Sequence, residues 1–439
     1  MLVAATSPRK DPSARAPAVG SPLRPLMLAV VAAGLLLAGC TRPAPPPSGS
    51  DGQGRYDTSR IPPYQSTRPV PPIAPIPPAG PEVGGETTKV ALLLPLSGQH
   101  AAIGSAMLDA AQLAVFDMGT EQFELVPKDT RGTPEGASAA ASEAIREGAD
   151  LIVGPLLATS VRAASPAARA AGVPVLAFSN DRTVAGGGVF TLGFLPDPEV
   201  RRVVEYAVSQ GMRRFAAVAP ETPYGRLTVD ALRDAAAAHG ATVAAVEFIS
   251  PNAGMPEITD VVRRVRGGQS GFGGSADLSA QPDAVLLPMI GPTLTATAST
   301  MAFYEVDPRQ VKFLGTGQWD QLRLSGEPAL VGSWYAAPDP AAREQFERKF
   351  NETYQRTPPR LATLAYDATA LAAVLSSRSE PGAFNQQTLT DMEGFTGLDG
   401  LFRFRPDGTA ERGLAILQVT PSGVIVVDPA PRRFEDRIF

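Results

Sequence analysis

Cysteine, histidine, lysine and tryptophan are scarce in this 439-residue chain, at one, two, five and two residues. A lone cysteine, Cys40, cannot form an internal disulfide. The two histidines, His100 and His239, lie far apart in sequence, and no Cys-x-x-Cys, His-Glu-x-x-His or paired-histidine spacing occurs. Those absences argue against a zinc site, and no cofactor is implied. Gly-x-Ser-x-Gly is missing too, and the one Ser-x-x-Lys, Ser7-Pro8-Arg9-Lys10, sits at the extreme amino end. A serine or cysteine nucleophile needs a base within hydrogen-bond reach, and the sequence offers no such pair. Five lysines stand against 34 arginines, which reads as genomic base bias. With a net charge of −5 and pI about 5.4, the chain has no broad basic field to hold nucleic acid.

The single cysteine closes an apolar run. Leu26 to Gly39 carries no charge, and Arg9, Lys10, Arg15 and Arg24 precede it. A basic front, a short apolar middle and small residues at the end make a secretory signal peptide over 1–39. The run is about 14 residues, short of the roughly 20 that span a bilayer core. Leu37-Ala38-Gly39-Cys40 resembles the lipobox of bacterial lipoproteins. The resemblance implies that the Cys40 thiol is lipidated and that Cys40 becomes the mature amino terminus. Thr41 follows rather than aspartate, which favours the outer membrane.

From Thr41 to Glu86 the composition changes to thirteen prolines among Gly, Ser, Arg and Gln. Such runs form neither helix nor central strand and favour extended polyproline conformation. At ~3.1 Å per residue the segment reaches up to about 140 Å. Residues 40–87 therefore read as a lipidated tether that holds a body, 88–439, away from its membrane.

In that body strands and helices alternate. Lys89–Leu96 is a continuous apolar run fitting a strand buried on both faces of a parallel sheet. Helical spacing follows over Ser105–Met118, and the alternation continues to a strand at Val189–Phe194. It restarts with a helix at Pro198–Gln210 and runs to a strand at Val311–Gly315. Two successive series predict two doubly wound α/β lobes. Two helices, Ala341–Tyr354 and Leu361–Ser377, and a β-rich end complete the chain. The glycine-rich stretch between Gly267 and Gln281 lacks Gly-Lys-[Ser/Thr] and reads as a surface insertion rather than a phosphate loop.

Local words stand in this frame: Pro95-Leu96-Ser97-Gly98 with Gly104, Val153-Gly154-Pro155-Leu156, Val189-Phe190-Thr191, Tyr224-Gly225, Ala365-Tyr366-Asp367-Ala368, Phe395-Thr396-Gly397-Leu398-Asp399-Gly400, and Phe404-Arg405-Pro406-Asp407-Gly408. In this order they resemble the type I periplasmic binding proteins of the leucine/isoleucine/valine-binding group. The resemblance implies an α/β fold of two Rossmann-like lobes with a hinge and an interlobe cleft, the chain crossing three times. It places the first lobe at about 88–193 plus 336–394 and the second at 194–335 plus 395–439. A lipobox, a proline-rich tether and the opening Leu-Leu-Leu-Pro-Leu-Ser-Gly resemble, within that group, the penicillin-binding protein activators. These are non-catalytic lipoproteins that stimulate a peptidoglycan synthase. The helical-repeat domain of longer members does not precede Thr88.

Amino-acid binders of the group hold their ligand with hydroxyls, backbone amides, an acidic residue for the ammonium and an aromatic ring. Carried over, these roles fall on Ser97, Gly98, Thr159, Ser160, Ser179 and Asn180 in the first lobe and on Tyr224, Trp319 and Asp320 in the second. Each has a plainer reading. Ser97 and Gly98 suit a tight turn, Ser179 and Asn180 a helix cap, and Tyr224 the packing of a helix start. Ala158 stands where the group has serine, and Trp319 fills space beside Asp320. Paired carboxylates such as Glu221 with Asp230 or Asp320 read as solvated helix charges rather than a glycan-cleaving pair. The expected function is a periplasmic, outer-membrane-anchored partner of a peptidoglycan synthase, acting by contact. The alternative is the solute-binding component of an importer for branched-chain or other amino acids or amides.

Overall fold

In the computed structural model the described residues are 87–119, 121–266, 281–304, 310–322, 324–377 and 383–434. The chain divides into units Met1–Gly80 and Pro81–Phe439. The signal peptide, Cys40, nearly all of the tether and the stretch 267–280 lie outside the described residues.

The first lobe is built on a five-stranded parallel sheet in the order β2-β1-β3-β4-β5. Its strands are β1 (Thr88–Leu94), β2 (Phe123–Asp129), β3 (Leu151–Val153), β4 (Val175–Ala177) and β5 (Val189–Thr191). Val90 to Leu94 are buried, as expected of a strand covered by helices on both faces. Helices α1 (Ala101–Met118), α2 (Pro134–Arg146) and α3 (Ala158–Ala171) connect these strands. α2 starts where the sequence says it should: Thr133 accepts from the Gly136 N–H at 3.0 Å and Pro134 takes the first helical position.

The second lobe carries a seven-stranded sheet, β15-β14-β10-β9-β8-β6-β7. β6 (Arg214–Pro220), β7 (Thr242–Ile249), β8 (Ala284–Leu286), β9 (Lys312–Gly315) and β10 (Trp334–Ala337) are parallel. β14 (Ala415–Thr420) and β15 (Gly423–Asp428) add antiparallel strands beside β10. Its helices are α4 (Pro196–Ser209), α5 (Pro223–Ala238), α6 (Met255–Val265) and α7 (Gly291–Phe303). The same Thr-Pro start recurs at α5, where Thr222 accepts from the Gly225 N–H at 3.1 Å.

The chain then returns to the first lobe. α8 (Pro340–Tyr354) and α9 (Ala362–Ser376) pack beside α1, and Phe346, Phe350 and Tyr366 share a cluster with α1 alanines. After the short α10 (Gln386–Leu389), β11 (Phe395–Gly397), β12 (Gly400–Phe404) and β13 (Ala410–Arg412) form a small antiparallel sheet. This corrects two expected boundaries. β10 extends the second sheet to Ala337, so the crossing follows it. Phe402, Phe404 and Ala410 belong to the first core, with the Phe404 ring 5.4 Å from that of Phe190. The last return therefore follows Arg412, not residue 394. Those phenylalanines find a partner surface only in the first lobe, which local pattern does not reveal.

Candidate functional site

The strands of both sheets end toward the segments that link the lobes, the place where open α/β sheets bind ligands. On the first lobe the turn after β1 is tied to the end of β2. Asp129 accepts from the Ser97 hydroxyl at 2.6 Å and from the N–H groups of Arg131, Leu96 and Ser97 at 2.7, 2.9 and 3.2 Å. Burial opposes the Asp129 charge, but these four donors outweigh it and hold its carboxyl below the usual range. Gly98 has φ of 79°, and a Cβ there would lie 3.0 Å from the Arg131 carbonyl oxygen. Ser97 and Gly98 thus form a self-satisfied turn, the plainer of the two readings.

Thr159 is exposed in the first turn of α3. Ser160 is buried, with its hydroxyl 3.5 Å from the Thr133 carbonyl oxygen. Buried Ser179 accepts from the Asp181 N–H at 3.1 Å, as a turn residue does, while Asn180 is exposed.

On the second lobe Tyr224 donates its hydroxyl to Thr316 at 2.9 Å. Burial, then the nearby Glu199, push its ionisation above the usual tyrosine range. Trp319 is fully buried, donates from its indole nitrogen to the Met289 carbonyl at 3.1 Å and lies over Gly315. A Cβ at Gly315 would come within 2.2 Å of the ring. The expectation that Trp319 lines the cleft is corrected: a large apolar ring with one donor is used up in the second core.

Asp320 decides the character of the hinge. Its side chain is 4% exposed and meets Arg343 at 3.1 Å and Arg360 at 3.2 Å, both from the first lobe. Arg360 in turn meets Asp399 at 2.8 Å, donates to Thr363 at 2.8 Å and stacks over Phe194. Burial works against the Arg360 cation, but Asp399 and Asp320 hold it more firmly protonated than usual. The carboxyl of Asp399 is likewise held low against burial by Arg360 and Arg412. Arg412 donates to the Leu192 carbonyl at 2.6 Å, joining two of the crossing segments. Asp367, in apolar α9, accepts from the N–H groups of Leu398 and Asp399 at 2.7 and 3.2 Å. Burial and then the Asp399 charge raise its carboxyl well above the usual range. Glu199 of α4 accepts from the Gly317 N–H at 2.8 Å, and burial pushes its carboxyl up to about 7. Asp320 is thus committed to two arginines, which corrects its expected role as a receptor for a ligand ammonium.

Residues 87–423 match the family model described as periplasmic binding protein. The chain belongs to the periplasmic binding protein family. No curated protein sequence matches it. Among solved structures it is similar to a Rhodospirillum rubrum protein assigned to branched-chain amino acid ABC transport, with TM-score 0.66, 19% identity, and coverage of 78% of this chain and 100% of that one. The leucine-binding protein of Thermotoga maritima gives TM-score 0.54 and 19% identity, covering 80% and 99%. A solute-binding protein of Rhodopseudomonas palustris, solved with benzoate, gives 0.53 and 18%, covering 80% and 98%. At these identities the likeness is one of fold: the type I architecture of two α/β lobes.

Within this periplasmic binding protein, sequence reading missed Glu199, Arg343, Arg360, Asp367, Asp399 and Arg412 as one cluster. One signal was present. α9 reads Ala-Thr-Leu-Ala-Tyr-Asp-Ala-Thr-Ala-Leu-Ala-Ala-Val-Leu-Ser, and a single carboxylate inside so apolar a helix must be buried and partnered.

Proposed function

We propose that this periplasmic binding protein is a non-catalytic lipoprotein, anchored through Cys40 to the outer membrane, whose body works by docking on a peptidoglycan synthase. One observation carries the reading. The hydroxyl of Ser97, the hydroxyl of Tyr224, the indole of Trp319 and the carboxylate of Asp320 all have partners inside the protein. An amino-acid clamp depends on charge-assisted hydrogen bonds in a closed cleft. Here buried Asp320 would have to leave the buried Arg360 and the partly buried Arg343 to receive an ammonium, at a cost of several kcal/mol. A binding-protein body whose acidic and aromatic clamp groups are spent internally suits a surface that contacts a macromolecule. The lipobox and the proline-rich tether support the same reading, because a tethered domain acts at high effective concentration near its membrane.

The test is the rate of glycan-strand polymerisation by a purified penicillin-binding protein synthase, with and without the full lipidated chain. Binding with a several-fold rise in rate is expected; neither binding nor a change in rate overturns the proposal. A second reading, the solute-binding component of an ABC importer, is favoured by the transport proteins that share the fold. Saturable micromolar binding of leucine, isoleucine or valine selects it instead.

A further inference from the structure

An outer strand of a sheet leaves a row of backbone N–H and C=O groups that another chain can pair with, and proteins blunt such edges with proline, charge or shortness. The two large sheets have four outer strands, and three are blunted. β2 carries Pro127 and Lys128. β5 is three residues long and has Thr409 bridged to its last residue. β7 carries Glu247, which meets Arg264 at 2.8 Å. β15 has none of these devices. It reads Gly-Val-Ile-Val-Val-Asp, and its one charge is at the end, where Asp428 meets Arg202.

The backbone of β15 is only half used. Thr420 stands opposite Gly423 across the two-residue turn Pro421-Ser422, so Gly423 and Ile425 point their N–H and C=O at β14. Val424 and Val426 turn theirs outward. Among the described residues no backbone–backbone hydrogen bond of β15 reaches any segment but β14. Side chains of successive strand residues lie on opposite faces of the sheet. Val424, Ile425 and Val426 are all exposed, Ile425 most at 49%, so the layers on neither face overhang this edge.

The strand is also its own complement. In an antiparallel pair about a twofold axis, outward-turned residues meet outward-turned residues. With Ile425 on the axis, Val424 of each copy bonds Val426 of the other, and Asp428 falls opposite Ser422. The two carboxylates then stand at opposite ends of the ladder, and the pairs between them are uncharged and apolar. Parallel pairing in register would instead bring Asp428 beside its twin, and a charged partner strand would set its charge against valine and isoleucine.

We propose that β15 is an interface between two copies of this chain, which pair edge to edge and join their seven-stranded sheets into one. A six-residue ladder with three exposed apolar side chains per copy is smaller than a standard interface, so the dimer is a weak one, with Kd of about 10–100 µM. The proposal does not rest on the synthase reading.

The experiment is sedimentation velocity of the full chain in a Cys40→Ser background at rising concentration. A monomer–dimer equilibrium is expected, mostly dimer at about 200 µM. Ile425→Lys sets two ammonium groups face to face on the axis and should weaken the dimer about tenfold or more. The position is exposed, so this variant should melt like its parent. Ile425→Cys reads the register. The paired residues lie about 4.5 Å apart at Cα, within disulfide reach, so mild oxidation should link the copies. No other cysteine is present in this background. A monomer at about 200 µM, a dimer unweakened by Ile425→Lys, or no cross-link through Ile425→Cys overturns the proposal. So does protection of the Val424 and Val426 amides from hydrogen exchange in the dilute monomer, which would assign the edge to residues 435–439 of the same chain.

Discussion

At the hinge, Asp320 meets two arginines and Arg360 meets two carboxylates, all of them buried except the partly buried Arg343. On α4 and α5, Arg201 and Asp234 lie exposed, with no ion pair among the described residues. The same two kinds of side chain serve different ends. Buried charges must be matched to one another, because an unmatched one costs several kcal/mol of desolvation, and matching fixes the elements that carry them. Exposed charges cost little to leave unmatched. The hinge therefore reads as a tie between lobes, and these positions on α4 and α5 as solvated surface.

Arg360→Gln should break the tie hardest. It leaves Asp320 with one arginine and Asp399 without its closest cation, and a loss of about 3–5 kcal/mol in urea unfolding is expected. A loss under about 1 kcal/mol would mean that the hinge charges are solvated after all. Glu199→Gln acts through pH. Because the folded-state carboxyl titrates near 7, above its unfolded value of about 4.3, the folded protein keeps a proton that the unfolded chain sheds. The Glu199 contribution to stability is thus greatest in acid and falls as pH rises from about 4.5 to about 7. The glutamine variant should lose that slope and be more stable than wild type at pH 8 by about 3–4 kcal/mol, with little difference at pH 4.5, in melts followed across this range. An unchanged slope would place the Glu199 carboxyl in water.

Ser97→Ala should cost about 1–2 kcal/mol, one hydrogen bond to a charged carboxylate, read by chemical denaturation. The smallest effect belongs to the exposed carboxylates of α5: Asp230→Asn with Asp234→Asn should change stability by no more than about 0.5 kcal/mol. A large loss there would erase the contrast with the hinge.

The fold was largely legible. Continuous apolar runs such as Val90–Leu94, buried on both faces, announce central parallel strands, and the two βα series appear in order. Threonine caps before Pro134 and Pro223 mark two helix starts directly. The short strands β10, β11 and β13 were not legible: unlike the equally short β5 and β9 they do not alternate with helices in a βα series, and they owe their form to the neighbours they pair with. The last crossing was misplaced for a related reason: Phe402 and Phe404 are apolar in either lobe, and only packing against Phe190 and the first core assigns them. The cleft was legible only as a set of positions. Whether Asp320 faces a ligand or an arginine depends on Arg343 and Arg360, 23 and 40 residues further on, and pairing at that distance leaves no local trace.

The claim that the hinge holds the lobes in one relation is tested most directly by pulsed dipolar spectroscopy. Spin labels would be placed at E135C in the first lobe and E221C in the second, both exposed positions, in a C40S background. One narrow distance, unchanged by millimolar leucine, isoleucine or valine, is the predicted result. A second distance population, or a shift on adding any of these amino acids, would contradict it.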